Sequence, residues 1–307
     1  MAFAQGSRSG LSIQAETVYG VAPAIPTLIQ LPYASHTLNL TKDRVQGNDI
    51  QPDRMPRVDR HGNRKVSGDI VVDLRKADYD ALIESAFMGT FSTNTLKIGS
   101  TLKSFHMEDA ALDVNQFRLF SGLAVNSLAV SIKPNQMVTG TFGMVGKDMT
   151  LSGTSFDALK TASSTNQPFD AYSGTMKIAN AGATLTSVAT ITGIDFTITN
   201  SLNATFVVGA NSTGQLEYGQ AVVEGTITAY FEDATLINRF ISEVETGIEV
   251  AVNDPTAASA YTWLFPRVKI NGADVPVSGQ GARVISLPFV ALYDTVEATN
   301  IKLTRSV

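Results

Sequence analysis

One strand-and-helix pattern occurs twice in this 307-residue chain and constrains the fold more than any other feature. Val66–Leu74 alternates in polarity as a β-strand does, and Lys76–Phe87 then repeats apolar side chains at helical spacing. Val223–Phe231 and Asp233–Val244 repeat the same order, and the two copies align without a gap. We therefore interpret the chain as two copies of one β-rich module.

Apolar positions shared by the copies are expected to form the core of each module. These predicted core residues are Ile70, Tyr79, Ile83 and Phe87 in the first copy, and Ile227, Leu236, Phe240 and Val244 in the second. Polar positions differ, because Asp69 and Asp73 correspond to Thr226 and Tyr230. We expect the shared positions to carry the fold and the differing positions to face different neighbours.

The pattern predicts a mainly β protein with a few short helices, built as two tandem β-sandwich or half-barrel modules, each flanked by one helix. The predicted parts are an N-terminal extended arm at 1–34, a first module at 35–149, a Ser/Thr/Gly-rich connector at 150–190, a second module at 191–294 and a tail at 295–307. The proline-containing arm is expected to lie across a neighbour, and Gly89 to end the first helix.

The stretch 42–65 is rich in both charges and interrupted by Pro52 and Pro56, so it cannot fill a core. Because it separates two predicted strands, we interpret it as a long protruding hairpin or loop; the alternative is a solvated flexible loop. The residues expected to make contacts through it are Arg44, Arg54, Arg57, Asp59, Arg60 and Arg64. The matching stretch of the second module, 200–220, is apolar and neutral by comparison.

Composition excludes several classes of function. A net charge of −5 argues against tight binding of nucleic acid, which requires a basic surface. The chain has no cysteine, so disulfides, thiolate chemistry and Cys-based zinc sites are ruled out. Met1–Ser7 lacks the regions of a signal peptide, and no apolar run is long enough to span a membrane, which together predict folding in a cytoplasm.

No constellation of residues predicts a reaction, and no cofactor or metal is expected. The three histidines, His36, His61 and His106, are not at metal-ligand spacing. Asp69 and Asp73 share one face of a strand, but the second copy lacks both carboxylates, so a solvated strand face is favoured over a catalytic pair. We therefore predict that the chain is not an enzyme.

The order of parts resembles the tail tube proteins, or major tail proteins, of long-tailed bacteriophages with non-contractile tails. The resemblance rests on the opening Ser12–Pro23, the Gly68-Asp69-Ile70 strand before a short helix, and the hairpin containing Leu123–Ile132. It covers nearly the whole chain, although these motifs are strand patterns rather than chemical signatures.

The resemblance implies that subunits join their sheets into a ring with a continuous inner β-barrel, and that rings stack into a tube in the virion tail. A long loop would reach the neighbouring ring, and the tube would conduct DNA from capsid to host. The implied partners are other copies of the chain, tail proteins at the tube ends, a tape measure protein in the lumen, and double-stranded DNA that passes without specific binding. No membrane partner is expected, and assembly is expected in the host cytoplasm.

The duplication adds a stoichiometry, because two modules per chain predict three chains in a ring with pseudo-six-fold symmetry. Ring closure would also hide the open sheet edges of each module. Two alternatives remain: the tube of a contractile injection system, which shares the fold, and a β-sandwich adhesin or binding module, which would be a monomer or small oligomer. A carbohydrate-active enzyme ranks lower, since paired acids are missing.

Overall fold

The computed structural model describes residues 3–188, 190–255, 259–277 and 279–306. Long antiparallel strands dominate these residues, and two short α-helices accompany them. The predicted mainly β class is thereby confirmed. None of the helices in the described ranges has the length and apolar character needed to cross a membrane.

The strands and helices follow one another in two similar series along the chain. In the first series the strands are β1 (Ser9–Ala15), β2 (Ile29–Gln30), β3 (Ser35–His36), β4 (Asn39–Gln46), β5 (Asp59–Asp73), β6 (Thr95–Lys97), β7 (Phe105–Ala111), β8 (Gln116–Ile132), β9 (Thr139–Gly146) and β10 (Asp148–Ser152). In the second series they are β11 (Asp170–Asn180), β12 (Thr186–Ser187), β13 (Ile191–Thr199), β14 (Asn203–Ala204), β15 (Leu216–Glu217), β16 (Val222–Tyr230), β17 (Thr246–Asn253), β18 (Ala260–Ile270), β19 (Val284–Ala291) and β20 (Lys302–Arg305). The helices are α1 (Asp80–Phe87) and α2 (Thr235–Ile241), and a 3-10 turn spans Gly6–Arg8.

Eight strands form one continuous antiparallel sheet, which we call the inner sheet. Its order is β4, β5, β9, β8, β13, β16, β19 and the end of β18. The β4–β5 hairpin projects from one end, called here the hairpin end. The opposite end, where the 133–138 turn joins β8 to β9, is called the turn end.

Outer sheets cover the apolar side of the inner sheet. β1, β7 and the first half of β8 cover the first module, and β11, β17 and β18 cover the second. β8 belongs to both layers and bends between them at Gly122, whose φ is +66°. A Cβ there would lie 2.8 Å from the Lys147 Cβ and 3.0 Å from the Tyr19 ring, so glycine fits this corner.

The pairing repeats with the sequence. The first module has the order β1–β7–β8–β9–β5–β4, and the second has β11–β17–β18–β19–β16–β13. Gly68 of β5 and Gly225 of β16 occupy equivalent positions in the two modules, and neither site has room for a side chain. A Cβ on Gly68 would lie 2.6 Å from the Thr37 carbonyl oxygen, and one on Gly225 would lie 2.7 Å from the Asp195 carbonyl oxygen. In both modules the glycine lets the neighbouring backbone approach closely.

The two helices are buried to different degrees. Ile70, Tyr79, Ile83 and Phe87 are fully buried, as is Ile227 on the second copy's strand. On α2, by contrast, Leu236 and the following Val244 are only half-buried, and Phe240 is 38 % exposed. Within one chain the predicted core around α2 is therefore incomplete.

Helix α1 lies between the modules, which explains its burial. The Phe87 ring lies 6.1 Å from that of Trp263, and the Asn200 side-chain amide donates to the Ala86 carbonyl at 2.9 Å. The helix ends at Met88, which takes the left-handed conformation with φ +48°, rather than at the predicted Gly89.

The terminal segments pack on their own chain. β1 and β2 pair with each other, β1 pairs with β7, and Leu11, Ile13 and Leu28 are buried, so most of the predicted arm is part of the first module. β11 lies inside the predicted 150–190 connector but pairs with β17, and β20 of the tail pairs with both β18 and β6. The tail thus joins the two modules within one chain.

Candidate assembly surfaces

The side of the inner sheet that faces away from the core is polar and spans both modules. Strand registers place on this polar face Ser67, Asp69, Val71 and Asp73 of β5; Ser127, Ala129 and Ser131 of β8; Thr139, Thr141 and Val145 of β9; Asp195, Thr197 and Thr199 of β13; Glu224, Thr226 and Thr228 of β16; and Ser286, Pro288 and Val290 of β19. The intervening residues point into the core, which is the period-2 pattern of a sheet wet on one side.

Carboxylates are the main charges of the polar face. They are Asp69, Asp73, Asp195 and Glu224. Among the described residues, lysines reach this region at its margins, where each is paired: Lys133 Nζ lies 3.2 Å from Asp195 Oδ1, Lys65 Nζ 3.8 Å from Asp43 Oδ1, and Lys269 Nζ 3.2 Å from Glu243 Oε2. A face of hydroxyls and net negative charge repels a polyanion and offers it no phosphate-binding cations.

The β4–β5 hairpin contains the predicted contact residues. Its strands pair from Asn39↔Ser67 to Gln46↔Asp59, and residues 47–58 form the tip. About seven residues of β5 extend beyond its pairing with β9, which corresponds to a projection of about 20 Å. Ile50 at the tip is 97 % exposed.

Several of the predicted contact residues are already paired inside the chain. Arg44 Nε lies 2.7 Å from Asp59 Oδ2, Arg64 Nη1 lies 3.0 Å from Asp148 Oδ2, and Arg57 pairs with Asp53. No described residue pairs with the guanidinium of Arg54 or Arg60, so these two cations are the ones available to another molecule.

A complete junction between the modules is present inside the chain. The second half of β8 pairs antiparallel with β13, with Ala129 opposite Thr197 and Ser131 opposite Asp195. The Ser131 hydroxyl donates to Asp195 Oδ1 at 2.5 Å, and helix α1 covers the core side of the seam. This β8–β13 seam makes the inner sheets of the two modules continuous.

Each strand of the β8–β13 seam has a counterpart in the other module, and one edge of each counterpart has no pairing strand in the described residues. β4 is the counterpart of β13, and in the described ranges its outer edge has no partner strand. Residues 271–277 correspond to the second half of β8, and they bond to β19 through the Asn271 amide to the Pro288 carbonyl (2.8 Å) and the Asp274 amide to the Ser286 carbonyl (3.0 Å). No described strand pairs with their other edge, although the Val275 carbonyl accepts a hydrogen bond from the Arg283 guanidinium at 2.8 Å. The chain therefore begins and ends its inner sheet with complementary open edges.

Buried titratable groups serve the packing of segments. Glu16 accepts hydrogen bonds from the Gly20 amide (2.6 Å), the Ser104 hydroxyl (2.6 Å) and the Gly122 amide (2.7 Å), with His106 Nδ1 3.3 Å away. These contacts hold the loop that follows β1 against the bend of β8 at Gly122. Across the described ranges, no group of three or more potential ligands is placed to hold a metal ion.

A second partly buried cluster joins β3, β7 and β8. Asp109 accepts hydrogen bonds from Arg118 (2.8 Å from Nε), and His36 Nε2 lies 3.4 Å from its other oxygen. Burial raises the pKa of Asp109, but the hydrogen bonds from His36 and Arg118 outweigh it and leave the pKa below its ordinary value. The ionised carboxylate therefore stabilises this part of the first module.

Comparison with known proteins agrees with this architecture. A phage tail tube protein family matches residues 6–291, nearly the whole chain, and the chain belongs to that family. It is thus a structural component of the virion tail. No curated protein matches the chain at a significant level.

Proposed function

We propose that three copies of this chain close into a ring of six modules, and that stacked rings form the tube through which DNA leaves the capsid. The observation that carries the proposal is the β8–β13 seam. The counterparts of its two strands, β4 and 271–277, are both edge segments of the chain. If β4 of one copy pairs with 271–277 of the next, the two copies form a seam equivalent to the β8–β13 seam within the chain.

Closure of three copies produces a wide barrel. Eight inner strands per chain would make a barrel of about 24 strands, roughly 45–50 Å across at the backbone for ordinary strand spacing and tilt. Side chains cannot fill such an interior, so it is a water-filled channel. The polar face lines it, and its carboxylates keep DNA from adhering during passage.

Rings stack through the projecting hairpin. Its length takes it beyond the edge of its own sheet, and Arg54 and Arg60 are available for charge-assisted hydrogen bonds to the next ring. At the same end, the second module presents exposed Val207 and Val208. Ring-to-ring contacts are therefore expected to alternate between polar and apolar types. Assembly takes place in the host cytoplasm, around a tape measure protein.

A cysteine-free chain permits a direct test. In the repeated seam, Asn39 faces Asp274 as Thr197 faces Ala129. We expect a variant carrying Asn39→Cys and Asp274→Cys to give, with a short thiol cross-linker, a ladder of bands that stops at three chains. Each single variant is the control.

Electron microscopy of the unmodified tubes supplies an independent count. Class averages computed without imposed symmetry should show three chains and six modules per ring. Six chains per ring, or a cross-linked ladder that continues past three, contradicts the stoichiometry; a protein that remains monomeric at high concentration contradicts tube formation itself.

A further inference from the structure

The segment leading into the second module completes the first module. Residues 164–169 lie along the connection between β5 and α1. The Ser164 amide donates to Asp78 Oδ1 (2.8 Å), and the Asn166 side-chain amide donates to the Lys76 carbonyl (2.9 Å). The segment ends at Phe169, which is fully buried.

Phe169 fits into a backbone slot at the turn end. Its amide donates to the Leu74 carbonyl at 2.8 Å, and its carbonyl accepts from the Val138 amide at 2.9 Å. Beside this slot, the Leu74 amide donates to the Val138 carbonyl at 2.8 Å. The next residue starts β11, so a segment that belongs to the second module's sheet also closes the first module.

The second module has the same slot without an occupant in the described chain. The Phe231 amide donates to the Arg283 carbonyl at 2.9 Å, as Leu74 does to Val138, yet no described residue bonds to the Phe231 carbonyl or the Arg283 amide. Next to it is a cavity of about 230 Å³ lined by residues that include Leu236 and Ile285. Arg239 also lines this cavity, and no described residue supplies a hydrogen-bond acceptor to its buried Nε.

One segment of the chain corresponds to 164–169. β11 pairs with β17 as β1 pairs with β7, and Asp170 and Ser9 hold matching positions at the start of those strands. The six residues before Ser9 are therefore 3–8. All six are exposed, and Phe3 is 82 % exposed. In the single chain Gly6–Arg8 form a 3-10 turn, with the Arg8 amide bonded to the Gln5 carbonyl (2.9 Å) and the Arg8 carbonyl to the Leu112 amide (3.1 Å), so insertion into the slot requires this turn to open.

We propose that residues 3–8 of one copy lie along 231–235 of the preceding copy in the ring, with the Phe3 ring in the cavity beside Leu236. The cavity is lined by polar side chains such as Glu232 and Asp233 as well as by apolar ones, and its volume of about 230 Å³ exceeds the about 150 Å³ that accommodates benzene. A backbone carbonyl of the incoming segment supplies the acceptor that Arg239 Nε lacks, and the ring covers the half-buried side of α2. The proposal rests on the proposed ring and identifies a second contact between its subunits.

The test places one cysteine on each side of this contact. We expect chains carrying Phe3→Cys, mixed with differently tagged chains carrying Thr235→Cys, to form disulfide-linked pairs of unlike tags upon mild oxidation. The mixture is kept more than about 100-fold above the concentration at which unmodified rings form, because Phe3→Cys itself removes the phenyl ring. The matched control replaces Thr235→Cys by Val208→Cys, since Val208 is fully exposed in the same module but at the hairpin end. The control pair is expected to stay unlinked.

A second variant measures the strength of the contact. Phe3→Ala should leave the thermal unfolding of the unassembled chain unchanged, and should raise the protein concentration needed for ring formation about 10- to 100-fold, the range for losing one buried aromatic side chain.

Rings that form without the Phe3–Thr235 link, or with equal linkage in the control, overturn this inference and leave the ring proposal standing. A chain that makes neither rings nor tubes overturns the ring proposal instead, and linked pairs without rings would support this contact alone.

Discussion

Replacing the buried Phe169 tests the backbone slot of the first module, which this residue occupies. The side chain is fully buried, with its ring centroid 4.9 Å from that of Tyr261 across the module boundary. Phe169→Ala removes this packing and leaves a cavity, which costs about 3–5 kcal/mol. For a chain of 307 residues the unfolding entropy is about 0.6 kcal/mol per degree, so the melting temperature should fall by about 6 °C.

Differential scanning calorimetry of the unassembled chain, below the concentration at which rings form, is the measurement. Phe3→Ala is the matched control, because it removes the same side chain from the exposed counterpart segment and should shift the melting temperature by less than about 1 °C. A fall of less than about 2 °C for Phe169→Ala, or equal falls for both variants, would refute the stabilising role of Phe169 in the first module's slot.

Four other variants test separate parts of the structure. Deleting residues 48–62 should give rings that do not stack, visible by negative-stain microscopy; normal tubes would refute the role of the hairpin. Tubes carrying Asp73→Lys should retain duplex DNA at low salt and release it at high salt, whereas unmodified tubes should not bind it in a filter-binding assay. Asp109→Asn should destabilise the chain at pH 7 in urea titrations. This difference should shrink as the pH falls below about 4, because the lowered pKa of Asp109 means that its carboxylate stabilises the fold only while it is ionised. Gly225→Ala should cost about 1–3 kcal/mol by calorimetry, and Gly214→Ala, where a Cβ meets nothing within 4 Å, should cost far less.

Local patterns were sufficient to predict much of the fold. Alternation over Val66–Leu74 and Val223–Phe231 predicted strands that the structure contains as parts of β5 and β16. These strands are buried on one side and wet on the other, which is the condition under which period-2 patterning is informative. Mixed charges and prolines likewise marked 42–65 as unable to fill a core, and it forms the exposed hairpin.

Features that depend on pairing partners could not be predicted in the same way. The apolar spacing of α2 is as regular as that of α1, yet Phe240 is partly exposed where its counterpart Ile83 is buried, because burial depends on a neighbouring module that only α1 has within the chain. The arm was expected to lie across a neighbour, but its strand β1 pairs with β7 of the same chain. Sequence patterns do not identify the partner of an edge strand.

The acidic character of the polar face could be predicted from composition only in outline. Net charge predicted a surface that would not hold DNA, but the registers of β5, β13 and β16 were needed to place four carboxylates on one side of the sheet. The sequence signal was present at Asp69 and Asp73, which share one strand face.

The covalent link across the β8–β13 seam has a kinetic consequence. Since half of the six seams in a three-chain ring are already made within single chains, ring formation depends on roughly the third power of chain concentration rather than the sixth that separate modules would require. The modules also meet at a local concentration that dilution cannot lower. In the proposed ring, the duplicated chain therefore needs a lower chain concentration for closure than separate modules would.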